Sequence, residues 1–195
     1  MTVNKLFLSC WLMYNGDKIE FVEDRPLMSV LHISKEYTVR KLTENDAKHV
    51  YMLLIGNPVY FEFCSPNPSI ESVLEDMKAL PPNKTYDDKF YIGFYKCGRL
   101  IAVMDLIYRY PNENTAFIGF FMMDKMYQGK GIGSTIIEES LAYLEKQGFT
   151  HVRLGYMKGN KQSRHFWIKN GFTPTGIETN NSQGTVVVMQ RKIGP

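Results

Sequence analysis

Apolar and polar residues change period several times along this chain, and each change marks an element. Tyr37 to Leu42 (YTVRKL) alternates with period two, as a half-buried strand does. Thr43 then offers an N-cap side chain to ENDAKHVYMLLIGN, whose apolar residues continue to Ile55 and predict a helix. A second helix is expected from the Ser69 cap onward. It has Ile70, Val73, Leu74, Met77 and Leu80 at helical spacing, and Pro81-Pro82 as its stop. Between the two, NPVYFEFCSPNPS carries three prolines and reads as a loop, although an unusually aromatic one.

Beyond the prolines the period returns to two. Lys89 to Tyr95 and Leu100 to Tyr108, joined by a turn at KCGR, predict a hairpin, and Ala116 to Met123 predicts a third strand. Ser134 to Gln147 is amphipathic through Ile137, Leu141 and Leu144, and Gly148 follows it as a C′ residue. His151 to Met157 reads as a strand and Gln162 to Asn170 as a short helix closed by Gly171. Two strands around NNSQG finish the chain. The order is strand, two helices, three strands, helix, strand, helix, two strands. It predicts a mixed α/β sheet flanked by helices rather than regular βαβ alternation.

The first 36 residues stand apart from this pattern. Leu6 to Met13 (LFLSCWLM) follows a lone Lys5 and has the length of a short signal h-region, but it lacks a basic n-region and a small-residue cleavage site. The alternative is a hairpin, LFLSCWLMY and KIEFVE around Asn15-Gly16-Asp17, packed as an extension on a domain spanning 37–195. No run reaches transmembrane length, so no membrane partner is expected.

Between the third strand and the next helix, Tyr127 to Ser134 reads YQGKGIGS, with glycine at every second position from Gly129 to Gly133. Glycine weakens regular elements, so such spacing marks backbone that bends tightly or approaches something closely. A strand feeding a helix through these glycines aims several N–H groups at one spot beside the positive end of the helix dipole. Lys130 adds a full charge there. This is a site for an anion such as pyrophosphate, or else merely a tight turn. The spacing is neither Walker A nor the dinucleotide G-x-G-x-x-G.

Composition narrows the picture further. A chain of 195 residues, 44% hydrophobic and without repeats or linkers, suits one domain. A net charge of +3 with scattered basic residues gives no nucleic-acid footprint. Cys10, Cys64 and Cys97 are distant and odd in number, which implies neither a disulfide framework nor a zinc site and fits a reducing cytoplasm. The four histidines are equally dispersed, and no metal is implied.

Two blocks together carry a resemblance. Gln128-x-x-Gly131-x-Gly133, after an apolar strand ending in Met123-Asp124, resembles the coenzyme A pyrophosphate loop of the GNAT superfamily of acyl-CoA N-acyltransferases. NKQSRHFWIKNGF, from Asn160 through Ser163 and Phe166 to Gly171-Phe172, is similar to that superfamily's N-x-x-A-x-x-x-Y-x-x-x-G-F segment. The resemblance covers Tyr37 to the C-terminus. It implies a mixed sheet in which the strand before the glycine loop and the one after its helix splay apart, with the pantetheine arm in the wedge. Phe121, Met122 and Met123 would border that arm. Gln128, Gly129, Lys130, Gly131, Ile132, Gly133 and Ser134 would hold the pyrophosphate, and Asn160, Ser163 and Trp167 would contact the cofactor from the other side. Asn160 has a plainer reading as the cap of its helix, and Phe166 as core.

The chain departs from the pattern twice. Trp167 stands where the family often has a tyrosine that protonates the departing thiolate, and an indole N–H releases no proton at useful pH. Phe117 stands where relatives carry a glutamate as general base. Asp105, alone in LIAVMDLIY, is the candidate base, since apolar neighbours push a carboxyl upward; it is equally a solvent-facing or network-paired residue. Tyr156 is the candidate for positioning or acid work.

These features predict N-acetyl transfer from acetyl-CoA to a primary amine, on a small molecule or a peptide, by direct attack. No cysteine is well placed for a covalent intermediate, and a homodimer is compatible with the sequence. The alternative is a catalytically idle acyl-CoA-binding sensor, which the Trp167 and Phe117 departures favour. The resemblance places the loop between the first two helices at the acceptor side of the cleft, and its Tyr60, Phe61, Glu62 and Phe63 either anchor that loop or favour an acceptor with a second positive charge.

Overall fold

The computed structural model describes residues 29–194. The hairpin and signal-like readings of the N-terminal segment lie outside them. Residues 29–36 are part of the folded body: Ser29 caps a 3-10 turn, Val30–His32, and Val30 and Ile33 are buried in the main core.

The elements follow the expected order with one addition. They are β1 (Thr38–Lys41), α1 (Ala47–Ile55), α2 (Pro58–Phe61), α3 (Ile70–Lys78), β2 (Lys89–Lys96), β3 (Arg99–Ile107) and β4 (Thr115–Met123), then α4 (Ile132–Lys146), β5 (His151–Met157), α5 (Lys161–Lys169), β6 (Thr173–Asn181) and β7 (Gly184–Lys192). The segment expected to be loop throughout thus contains a helical turn, α2. Pro58 at its first turn is preset in φ and has no N–H to leave unpaired. Local caps act as their residue types require. Thr43 and Asp46 form a capping box before α1, and Ser69 and Ser72 form another at the start of α3.

The strands form one seven-stranded sheet in the order β1-β2-β3-β4-β5-β7-β6. Every neighbouring pair is antiparallel except β4 and β5, which run parallel. Alternate strand residues feed two cores. Ile92, Phe94, Met104 and Leu106 pack with Ile136, Ile137, Leu141 and Leu144 of α4 and with Trp167 of α5. Tyr91 and Val103 pack with Val50 and Leu54 of α1 and Val73 of α3. Helices therefore cover both faces, α1–α3 on one and α4–α5 on the other. Among the described residues, no helix is long and apolar enough to cross a membrane.

Candidate active site

Register creates the site. Along β3 and β4, Asp105 pairs with Phe120 but Leu106 pairs with Ile118, so Gly119 is an extra residue, a β-bulge. The bulge breaks the alternation of faces. Ile118 packs in the α4–α5 core, whereas Phe120, two residues on, packs in the α1–α3 core. Just there, β4 leaves its parallel partner. Pairing of β4 with β5 runs from Thr115–His151 to Ile118–Leu154 and ends, while β5 continues against β7 as far as Met157–Val186. The strands splay, and a cleft opens between them.

This cleft joins the two faces of the sheet. Ile118, Phe121, Leu154, Tyr156, Ser163 and Trp167 line it toward α4 and α5, and Tyr60, Cys64, Phe120 and Met157 line it toward α1–α3. Gly119 and Gly155 lie at the crossing. Without side chains there, the two faces communicate through the gap.

The glycine loop sits at the far end of β4, and its three glycines have two different tasks. Gly129 and Gly131 have φ of 72° and 80°, and a Cβ at either would meet nothing within 4 Å. They supply left-handed backbone beside open space. Gly131 is the N-cap of α4, whose first hydrogen bond runs from the Thr135 N–H to the Gly131 carbonyl at 3.0 Å. The amides of Ile132, Gly133 and Ser134 therefore precede the hydrogen-bonded ladder. The first turn of α4 carries no acid to neutralise its dipole, and the Lys130 ammonium stands 6.0 Å from the Tyr127 ring on the same loop. Gly133 serves packing instead: a Cβ there would come within 3.2 Å of the Phe166 ring and 3.5 Å of Met123. An open, amide-rich, positively charged helix start fits a pyrophosphate.

The other expected cofactor residues divide. Phe121 stacks on Phe166 at 5.8 Å between ring centroids and lies 6.2 Å from Trp167, so it borders the wedge. Met123 is buried on the α4–α5 side, while Met122 is buried among α1–α3 residues. Gln128 turns away from the loop and donates to Asn57 Oδ1 and to the Met123 carbonyl. Asn160 caps α5, its Oδ1 accepting from the Ser163 N–H at 2.9 Å, and both residues line the cleft. Trp167 is buried edge-on against Phe166 and Phe172 and lines the cleft as well.

Asp105 is not among the cleft-lining residues. Of the readings open to it, the structure has the paired one: both carboxylate oxygens accept from the Lys89 ammonium at 2.8 Å, and both side chains are buried. Burial raises the Asp105 carboxyl, against the opposing pull of Lys89. With both oxygens engaged by Lys89 and the residue outside the cleft lining, this geometry lends no support to Asp105 as the base. Tyr156, the other candidate, does line the cleft and is 7% exposed.

On the α1–α3 side the aromatic run separates by facing. Tyr60 lines the cleft, its ring edge-on to Phe61 and Phe120 at 5.1 and 5.7 Å. Phe61 is buried in the α1–α3 core, Phe63 packs beside Cys64, Met157 and Val186, and Glu62 is exposed outside the cleft lining. Cys64 also lines the cleft. Burial pushes its thiol up to about 11, although a hydrogen bond from Tyr60 works the other way, so near neutral pH it is a protonated thiol and a poor nucleophile. Cys64, Met157 and the Gly119 bulge carried no sequence signal, because all depend on register and on the meeting of distant segments. Asn57 was likewise invisible, being one asparagine ahead of a proline.

The comparisons with known proteins agree with this geometry. The family model described as acetyltransferase (GNAT) family matches residues 58–172. No curated protein matches the chain in sequence. An acetyltransferase from Thermus thermophilus has a similar fold, with a TM-score of 0.66 at 18% identity over 80% of this chain and 96% of the other. PaiA N-acetyltransferase from Thermoplasma acidophilum, solved in complex with coenzyme A, gives 0.59 at 20% identity over 80% and 98%. The ribosomal-protein-S18-alanine N-acetyltransferase from Escherichia coli gives 0.60 at 15% identity over 82% and 95%.

Proposed function

The chain belongs to the acetyltransferase (GNAT) family, and from that premise we propose that it moves an acetyl group from acetyl-CoA to a primary amine by direct attack of the amine. Acyl transfer and coenzyme A as cosubstrate follow from membership. The observation that carries the finer reading is the parting of β4 and β5 after Ile118 and Leu154, with the Gly129–Gly131 loop at the end of the same strand.

Acetyl-CoA supplies an acyl group already activated as a thioester. The amides from Gly129 to Ser134, with Lys130, would hold its pyrophosphate, and the β4 backbone at Phe121 and Met123 would hold the pantetheine arm. Asn160, Ser163 and Trp167 would flank that arm from α5. Backbone N–H groups of β4 beyond the bulge would serve as preorganised donors to a carbonyl placed in the gap. The amine enters from the α1–α3 face past Tyr60 and Phe120. Tyr156, a hydroxyl lining the cleft, is assigned delivery of a proton to the departing thiolate, which the Trp167 indole cannot perform, and the proton shed by the acylated nitrogen restores the hydroxyl. Cys64 stays protonated, so no acyl-enzyme is needed. Asp105 is assigned a structural role. A reducing cytoplasm suits the free thiols of Cys64 and Cys97, and neither nucleic acid nor membrane is invoked as a partner.

Trp167 at the tyrosine position favours a second reading, an idle acyl-CoA sensor. Calorimetry with acetyl-CoA, paired with thiol release against a panel of amines, separates the two. The enzyme binds acetyl-CoA and releases thiol only with an amine. A sensor binds and releases none, and a folded protein that fails to bind rejects both.

A further inference from the structure

The acceptor can be narrowed by what the cleft lacks, and this inference rests on the acyl-transfer reading above. Among the described residues that line the cleft there is no Asp, Glu, His, Lys or Arg. The titratable groups facing it are Tyr60 and Cys64 from the α2 side and Tyr156 from β5. The charged residues nearby are either paired or exposed outside the cleft lining. Asp105 is locked to Lys89. Glu62 is exposed, Lys158 beyond Met157 is paired at 2.8 Å with Glu178, and Lys161, Arg164 and His165 of α5 are exposed. The walls on the acceptor side are the Tyr60 and Phe120 rings, the Met157 thioether and the Cys64 thiol, all packed into apolar clusters.

An amine attacks only through an unprotonated nitrogen. Among the described residues, the cleft lining has no carboxylate or imidazole and so no strong side-chain base to remove the ammonium proton. It also offers no counter-charge to offset the desolvation of an ammonium ion. The nitrogen must therefore enter already neutral, which favours acceptors of low basicity. An α-amino group titrates near 8 and a lysine or alkylamine near 10.4, so at pH 7 the α-amine is neutral about 200 times more often. The apolar walls further favour an uncharged body next to the nitrogen.

We propose that the acceptor is an α-amino group bearing an apolar first side chain, bound in its neutral form, and that ε-amines and polyamines are poor substrates. The class includes apolar amino acids and peptides that begin with an apolar residue.

Three acceptors test the proposal with the full chain and acetyl-CoA. They are a lysine-free peptide with leucine first and a free α-amine, the same peptide N-terminally blocked with one internal lysine, and spermidine. At pH 7 the free α-amine should exceed the other two by about 100-fold or more in kcat/KM. Its kcat/KM should level off above about pH 8, whereas that of the lysine peptide should keep rising toward pH 10. Calorimetry of the leucine peptide binding to the coenzyme A-loaded protein at pH 6.5, in two buffers of different ionisation enthalpy, should register release of about one proton. Comparable or higher kcat/KM for the ε-amine or spermidine overturns the inference. So does binding without proton release, or acetyl-CoA binding with no turnover of the α-amine. Failure of acetyl-CoA to bind at all rejects the acyl-transfer reading itself.

Discussion

Asn57 and Gln128 stand 71 residues apart in the chain and are joined by a 2.6 Å hydrogen bond from the Gln128 side-chain amide to Asn57 Oδ1. Both amides also donate to the Met123 carbonyl, each at 3.1 Å, and Asn57 donates further to the Leu53 carbonyl. This small network fastens the end of α1, the end of β4 and the entry of the glycine loop to one another. The glycine loop therefore takes its position from α1, not only from the strand that precedes it.

Asn57→Ala should lower stability by about 1–3 kcal/mol, because it strips partners from buried groups, and Gln128→Ala by less. Both should weaken acetyl-CoA binding severalfold by loosening the loop. A double-mutant cycle in thermal unfolding should show coupling of at least about 0.5 kcal/mol. Strict additivity would mean that the shared hydrogen bond contributes nothing.

At Gly131 conformation and charge can be separated. Gly131→Ala has room for its methyl but keeps a φ of 80°, so it should fold with a loss of about 1–2 kcal/mol and retain binding. Gly131→Asp adds a carboxylate where the amides converge, and calorimetric binding of acetyl-CoA should disappear while circular dichroism stays native. Normal affinity in the aspartate variant would remove the pyrophosphate from this loop.

The Lys89–Asp105 pair makes the opposite kind of prediction. Removing either partner alone leaves a buried charge and should cost about 3–5 kcal/mol, while replacing both, as in Lys89→Met with Asp105→Leu, should recover most of it. Turnover per folded molecule of Asp105→Asn should be near that of the unaltered protein. A large fall in turnover with stability intact would return Asp105 to the mechanism.

Tyr156→Phe should lower kcat by about 100-fold with little change in acetyl-CoA affinity, as expected for loss of a proton donor. Because Trp167 lines the same cleft, Trp167→Tyr should restore part of that activity in the Tyr156→Phe background. No effect of Tyr156→Phe on kcat would leave the thiolate to be protonated by water.

Asp46 supplies a pH signature of folding. Hydrogen bonds from Arg40, joined by the Thr43 N–H and hydroxyl, hold its carboxyl down to about 2. A depressed folded-state pKa stabilises the fold above the ordinary carboxyl range, near 4, and the contribution is lost as pH falls toward 2. Between pH 5 and pH 2.5 the thermal midpoint should therefore fall more steeply in the unaltered protein than in Asp46→Asn. That variant should also lose about 1 kcal/mol at pH 7 with the capping box. Parallel curves would place the acid sensitivity elsewhere.

Much of this fold was legible in sequence because its determinants are local. Period-two runs gave β2, β3 and β5 nearly to the residue. Ser69 and Thr43 announced helix starts through their own side chains, and Gly148 and Gly171 marked helix ends with φ of 92° and 75°. The loop at Gly129 and Gly131 was likewise readable, since a left-handed backbone demands glycine whatever surrounds it. The α2 turn was missed because Pro58 breaks a helix in mid-run yet opens one at the first turn, and the spelling is the same.

What only the tertiary structure decided is where side chains face. Asp105 looks like a lone acid in an apolar strand until the register of β2 and β3 sets it beside Lys89, sixteen positions earlier. Gly119 becomes a bulge only because Asp105 and Leu106 pair with residues two apart on β4. Cys64, Tyr60 and Tyr156 share a cleft only because β4 and β5 separate after four paired residues. Caps and turns are settled within a few residues of chain, so composition and spacing carry them. A cleft is settled by the competition of long-range strand pairings, in which one extra residue reassigns every side chain beyond it to the opposite face.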